Sequence, residues 1–464
     1  MTRNTQALRK GVPPEVCGEY ADKLSRMVGC KTVWTHEGEN KAEFDRFYAV
    51  LEELFPNITA RARKLVFGGG CFVYVIGGRN AEKNIMLMSH HDVVEGSPDW
   101  QSDPFEPVEK DGCLYGRGTI DTKTPLFAEL QAAEELLAEG YDFAGINLYI
   151  GSSNNEEVCG DGMVLAAEYF RQQGIRFYAV IDEGGAITEG QIPGVSCKSA
   201  VVAVHEKSRH LFRCRTQVES KGHGGFGGST DSAIERLSRF IAEVSDKKDR
   251  ICKGRFYPEV RATFERHVPY MSFPMNFLFG NMGLFAPVIK KIMMGIPAAA
   301  AMLSTGLSFT TVSAGDSREP QIRAKTAEVT MFLRCVREEE LYAGLEKIRK
   351  IGKKYGVSIE QLERDYCEPT DFEGEAYKKV EQVLNENFPD VAVAPFLLTA
   401  GTDARRFTGI ADSILRFAPI DLNKKQFAAI HGDDEHIGIE NIGQCVVFYK
   451  DLIRKLCSGE AGMK

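Results

Sequence analysis

Ile85-Met-Leu-Met-Ser89 is a short, essentially apolar run that leads straight into His90-His91-Asp92. A run of this length without polar alternation reads as a strand buried on both faces, the kind that a parallel sheet covered by helices requires. Working outward, the spacing predicts a helix over 126–138, ending before Gly140, and a strand over 146–150. A helix over 163–173 is stopped by Gly174, and a strand follows over 177–181. Strand and helix thus alternate through about the first two hundred residues, the pattern of an α/β sheet.

The character changes near Ala200. Residues 200–204 and 211–218 alternate as half-exposed antiparallel strands would, and a Gly-rich stretch at 221–228 follows. Helices are expected over 232–244 and 338–355, with a strand over 328–334 between them. From about 370 the chain returns to α/β character, with a helix over 375–385. The expected architecture is a discontinuous α/β domain, 1–199 and 367–464, with a mixed sheet flanked by helices and a smaller α+β domain inserted over 200–366.

The composition narrows the function. The chain has 464 residues, 43% of them hydrophobic, which excludes a mainly disordered or fibrous protein. With 57 Lys and Arg against 65 Asp and Glu the net charge is −8, and no basic block occurs, so a nucleic-acid partner is not expected. The twelve cysteines form no CxxC pair, which argues against zinc knuckles and dithiol redox motifs. The first ten residues carry basic side chains but no apolar core of a signal peptide, and reduced thiols in the cytoplasm are expected. Residues 268–289 lack charge over a length that could span a bilayer, but Pro269, Pro274, Pro287, Asn276 and Asn281 interrupt them. No membrane span is expected. The apolar stretch 270–302 reads as core of the insertion, with an acyl-chain groove as the alternative.

The groups with chemistry fall where open α/β sheets place ligands, at strand ends and helix starts. His90-His91-Asp92 follows the strand at 85–89, and Asp121 closes a Gly116-Arg-Gly-Thr-Ile turn before a helix. Asn155-Glu156-Glu157 follows the strand at 146–150, Asp182-Glu183-Gly-Gly the strand at 177–181, and His431-Gly-Asp-Asp-Glu435 lies near the C-terminus. Histidines and carboxylates in this setting suit a hard, hydrolytic metal site.

Taken in order, these blocks resemble the M20 family of metallopeptidases, nearest its carboxypeptidase S-like branch, which includes N-acyl amino acid hydrolases. The resemblance rests on His90-His-Asp92-Val-Val, Trp100, Asp103-Pro-Phe105, Leu114-Tyr-Gly-Arg-Gly-Thr-Ile-Asp121-Thr-Lys123, Glu156-Glu157, Asp182-Glu183, Gly401-Thr-Asp-Ala-Arg405, Phe417-Ala-Pro419 and His431. It runs from about Val33 to Ile442. It implies a zinc-peptidase-like fold with a ferredoxin-like inserted domain that acts as lid and dimerisation surface.

The resemblance further implies two Zn²⁺, with Mn²⁺ or Co²⁺ as alternatives, bridged by Asp121. His90 and Glu183 complete one ion's shell, and Glu157 and His431 the other's. Glu183 is taken as the ligand with Asp182 as the alternative, since neighbouring side chains on extended backbone point opposite ways and only one of the two is expected to face the site. Asp92 would hydrogen-bond His90, Glu156 would be the general base for a metal-activated water, and His223 would stabilise the oxyanion, often across a dimer interface. Arg405, with Arg406 as competitor, would clamp a substrate carboxylate. The implied reaction is hydrolysis of a peptide or N-acyl amino acid with a free carboxylate. A dipeptidase and a non-catalytic, metal-stabilised binding protein remain the alternatives. Three departures from the family pattern stand out: Asn155 replaces an Asp, Glu95 a Pro, and Ser317-Arg-Glu-Pro-Gln-Ile322 the usual Asn-Val-x-Pro.

Overall fold

The computed structural model describes residues 9–35, 38–190, 192–219 and 232–457. Its central sheet has ten strands. Ile414–Arg416, Ala179–Asp182, Lys83–His90 and Ile146–Ser153 run parallel side by side through its middle. Cys71–Ile76 and Arg63–Phe67 extend one side antiparallel, so the sheet is mixed.

The run Ile85-Met-Leu-Met-Ser89 shows why the middle strands read as continuously apolar. Ile85 and Leu87 pack into one core layer, whereas Met86 and Met88 pack into another on the opposite face. Helices Pro14–Val28, Lys123–Ala138, Glu375–Asn387 and Ile439–Cys457 cover the first face. Gly162–Gln172 and the short turn Asp403–Phe407 cover the second. Lys123–Ala138 is buried almost all round, which is why it carries little amphipathic pattern.

One expectation is overturned here. Residues 200–204 belong to Ser199–Glu206, a strand of the large sheet in which every residue is buried. It runs parallel to Ala392–Leu398 and antiparallel to Ile414–Arg416. Burial on both faces, and a partner strand far along the chain, distinguish it from the half-exposed antiparallel strand that the local pattern suggested. The boundary expected at 200 therefore falls inside this strand.

The smaller sheet starts at Ser208. Ser208–Gln217, Gly306–Ala314, Thr326–Cys335 and Val357–Asp365 form four antiparallel strands, with the first and third adjacent at the centre. Helices Ala233–Asp246 and Glu338–Tyr355 pack on it, giving the strand–helix–strand–strand–helix–strand order of a ferredoxin-like unit. Ser232 caps the first helix through a reciprocal capping box with Glu235. Between that helix and the second strand the chain makes a helical excursion, Pro258–His267 to Pro297–Leu303, which packs through Phe264, Val260 and Leu303 against Leu397 of the large sheet. The apolar stretch 270–302 lies in it and divides. Met271, Phe279, Met282, Ile289 and Met293 are core, whereas Phe273, Phe277, Leu284, Val288, Ile292 and Ile296 are exposed.

Candidate active site

A cavity of about 330 Å³ opens at the C-terminal ends of the parallel strands. His90 ends one of them, and Glu156 and Glu157 follow the next. Glu183 follows a third, Asp121 precedes the helix Lys123–Ala138, and His431 sits on the turn between Lys424–Ala428 and His436–Gly438. All six residues line the cavity.

Asp121 stands at the centre. One of its carboxylate oxygens lies 2.9 Å from His90 Nε2, and the other lies 3.0 Å from His431 Nε2. His431 Nε2 is also 3.2 Å from Glu157 Oε2. A carboxylate offering one oxygen to each of two imidazoles has the disposition of a bridging ligand. Ligand atoms of His90, Asp121 and Glu157 fall within 4.8 Å of one another. Glu183 faces the cavity, whereas Asp182 is turned away and accepts backbone N–H groups of Glu183 at 2.9 Å and Ala404 at 2.8 Å.

The titration of these groups follows from burial and crowding. Burial, and then the neighbouring Asp182, Asp121 and Glu156 charges, push the Glu183 carboxyl well above the usual range. Glu156 is raised in the same direction by burial and by Asp403, Asp92 and Glu157, against the opposing His90. Burial alone would lower His90, but its hydrogen bonds to Asp121 and Asp92 raise it well above an ordinary imidazole. Hydrogen bonds to Asp121 and Glu157 carry His431 up to about 10. The chain has gathered more carboxylate charge here than its own cations balance, and the donors are the oxygen and imidazole groups that borderline divalent ions take. The residues fit such ions. His90, Asp121, Glu157, Glu183 and His431 are the groups that would hold them.

Asp92 does more than the sequence suggested. Its carbonyl oxygen accepts from His90 Nδ1 at 2.9 Å, with its carboxylate 3.5 Å from the same nitrogen. The two carboxylate oxygens accept the backbone N–H groups of Glu156 at 3.1 Å and Glu157 at 3.0 Å. One buried residue therefore orients the histidine through its backbone carbonyl and pins the backbone of both glutamates through its carboxylate. Asn155 keeps the same loop in place through Asp161 and the Gly162 N–H, so this departure leaves the site intact.

Glu435, at the end of the His431-Gly-Asp-Asp-Glu435 motif, holds the Asp121 turn, a role that its sequence position alone does not signal. It is buried and accepts from Arg117 at 2.7 Å and from the backbone N–H groups of Gly118, Ile120 and Asp121 at 3.1, 2.6 and 3.1 Å. The Arg117 guanidinium also lies 5.2 Å over the Trp100 ring, which ties the Trp100 block to the Asp121 turn. Glu435→Gln should cost about 2 kcal/mol, the scale of a charged hydrogen bond. It should lower both thermal stability and metal retention, read by calorimetry and metal analysis of the same sample.

Arg405 stands behind cavity-lining Gly401, where a Cβ would lie 2.2 Å from its Nη1. It is buried, with its guanidinium 2.6 Å from Asp365 and 3.4 Å from Glu206, and it does not line the cavity. Arg406 is 3.0 Å from Asp365. Glu206 also accepts from Arg416 Nε at 2.8 Å and from Thr402 N–H at 3.1 Å, so this network fixes the loop that walls the cavity at 400–402. Arg334 likewise does not line the cavity. The same Cβ on Gly401 would lie 3.0 Å from Arg334 Nη2, so both guanidiniums stand behind this glycine. Among the described residues Arg334 has no carboxylate within ion-pair distance, and its Nε has no hydrogen-bond partner. Sequence reading passed over Arg334 because a lone arginine on an alternating strand carries no signal. His223 lies outside the described residues. Residues 317–322 are exposed and absent from the cavity lining.

The sequence model of peptidase family M20/M25/M40 matches residues 86–455. The chain belongs to this family. This M20 hydrolase is 29% identical over 449 residues to N-fatty-acyl-amino acid synthase/hydrolase PM20D1 of Xenopus tropicalis, covering 94% of this chain and 85% of the relative. Its fold is that of the M20 family metallo-carboxypeptidase Sso-CP2 from Sulfolobus solfataricus, at a TM-score of 0.66 and 17% identity over 95% of this chain and 99% of that one. It is also similar to the Bacillus subtilis YXEP protein, a dinuclear metal-binding peptidase of the M20 family, at a TM-score of 0.59 and 12% identity over 95% and 98% of the two chains.

Proposed function

We propose that this M20 hydrolase cleaves the amide bond of an N-acyl amino acid or small peptide bearing a free carboxylate, with Glu156 carrying the proton. The observation behind this reading is Glu156 itself. Its carboxylate lines the cavity beside the His90, Asp121, Glu157, Glu183 and His431 cluster and makes no hydrogen bond among the described residues. A protein that only binds metal needs the ligands but not this group.

Two divalent ions, Zn²⁺ foremost, would lower the pKa of a water and polarise the scissile carbonyl. Asp121 would hold both, with His90 and Glu183 toward one and Glu157 and His431 toward the other. Glu156 takes the proton of the attacking water and returns it to the leaving nitrogen. Burial raises its pKa above the ordinary carboxylate range, the direction that favours holding a proton for return to nitrogen. His223 is proposed to stabilise the oxyanion, from its own subunit or from that of a homodimer partner.

The remaining cavity wall is mostly apolar, with Ile120, Pro125, Leu398, Ile420, Leu422 and Ile430, which supports an acyl group against it. For the substrate carboxylate, Arg334 takes the role that sequence reasoning gave to Arg405. The Arg405 guanidinium is already ion-paired with Glu206 and Asp365, whereas among the described residues Arg334 pairs with no carboxylate. Arg334→Ala should weaken kcat/KM for free-acid substrates by about 2–4 kcal/mol and leave C-terminally amidated substrates almost unchanged. Arg405→Ala should instead lower stability and affect both substrates alike. Steady-state kinetics on matched acid and amide pairs, with melting curves, separates the two. All twelve cysteines are free thiols, which supports a reducing, cytoplasmic setting.

A further inference from the structure

The helix Met282–Met294 has two apolar faces, and among the described residues only one has a protein neighbour. Met282, Ile289 and Met293 are buried in a cluster with Phe264, Phe279 and Leu303. Leu284, Val288 and Ile292, spaced four apart and hence in line along the helix, are 75%, 53% and 58% exposed. Ile296 beyond the helix end, 51% exposed, and Phe277, 53% exposed with its ring 5.4 Å from that of Phe285, widen the stripe. A continuous apolar strip of this kind marks an interaction surface.

The charged side chains of this segment are all of one sign. From 268 to 315 the chain has no carboxylate, and its only charged side chains are Lys290 and Lys291, in a protein of net charge −8. Lys290 Nζ donates to the Gly254 carbonyl at 3.1 Å, which brings Lys253 and Arg255 to the same end of the helix. Arg255 pairs with Glu340. Lys253, Lys290 and Lys291 are left as a basic rim to the stripe.

We propose that this stripe and its lysine rim dock the protein on the surface of an anionic phospholipid bilayer. The helix would lie in the interface, its apolar side among the acyl chains and its lysines at the phosphate level. Its 13 residues are too few to span, and among the described residues no helix is long and apolar enough to cross a membrane. A second copy fits less well. A two-fold contact through the same stripe would bring the lysine rims of both copies together with no carboxylate from this segment to meet them. The inference stands on this surface and does not depend on the reaction assigned to the cavity.

The test is co-sedimentation of the full-length chain with vesicles of phosphatidylcholine and phosphatidylserine in equal parts, and of phosphatidylcholine alone. The native protein should pellet with the mixed vesicles, less so as salt rises. Leu284→Ser/Val288→Ser/Ile292→Ser should lower the partition coefficient about tenfold or more while circular dichroism stays native. Lys291→Glu should lower it about fivefold and serves the same comparison if the triple variant does not fold. A native chain that stays in the supernatant with both vesicle types overturns the proposal. So does a dimer in sedimentation velocity that the triple variant makes monomeric without any vesicle binding, since the stripe would then be covered by a second copy.

Discussion

Glu156→Gln is expected to keep its full metal content and lose activity by a thousandfold or more, roughly 4 kcal/mol or above in the barrier. The substitution preserves the shape of the side chain and its place in the cavity wall. The backbone N–H of residue 156 still reaches Asp92, so the neighbouring Glu157 keeps its position. What disappears is the capacity to take a proton from water and return it to nitrogen. Metal analysis alongside single-turnover kinetics checks this. Near-native kcat with metal bound would mean that another group carries the proton.

Asp121→Ala should act earlier, on occupancy itself. Its two oxygens face His90 and His431 separately, so removing them separates both halves of the site at once. At least one ion should be lost on gel filtration, with activity falling to background even when metal is added back. The variant should still fold, because the surrounding turn is held by Glu435 through Arg117, Gly118 and Ile120. Two ions retained at native affinity would contradict the bridging role.

Much of this site was legible because of where its residues fall. His90, Glu157 and Glu183 each follow a strand whose apolar run is readable locally, and Asp121 precedes a helix with a clear stop at Gly140. That His431 joins them is not local information. It depends on the turn before His436–Gly438 being drawn to the Asp121 loop by Glu435, and on Ile437 pairing with Leu114. The misplacement of residues 200–204 has the same origin, since their neighbours at 392–398 lie nearly two hundred residues further on. The setting of Arg405 is non-local for a related reason. Its motif position is visible in the sequence, but Glu206 and Asp365, which engage it, lie on strands of two different sheets. The stretch 270–302 defeats periodicity because its helices are apolar on both the packed and the open side, so no polar face reveals the register.

The account rests on the cavity being a hydrolytic centre, and one measurement addresses that most directly. Purified protein is stripped with a chelator, reloaded with Zn²⁺ while stoichiometry is followed, and assayed by mass spectrometry on a panel of N-acyl amino acids, their C-terminal amides and dipeptides. The prediction is that turnover appears as the second equivalent binds, is greatest for N-acyl amino acids with a free carboxylate, and yields the free amino acid. Two tightly bound ions with no turnover of any member of the panel would contradict the account and leave a metal-stabilised binding protein on the same fold.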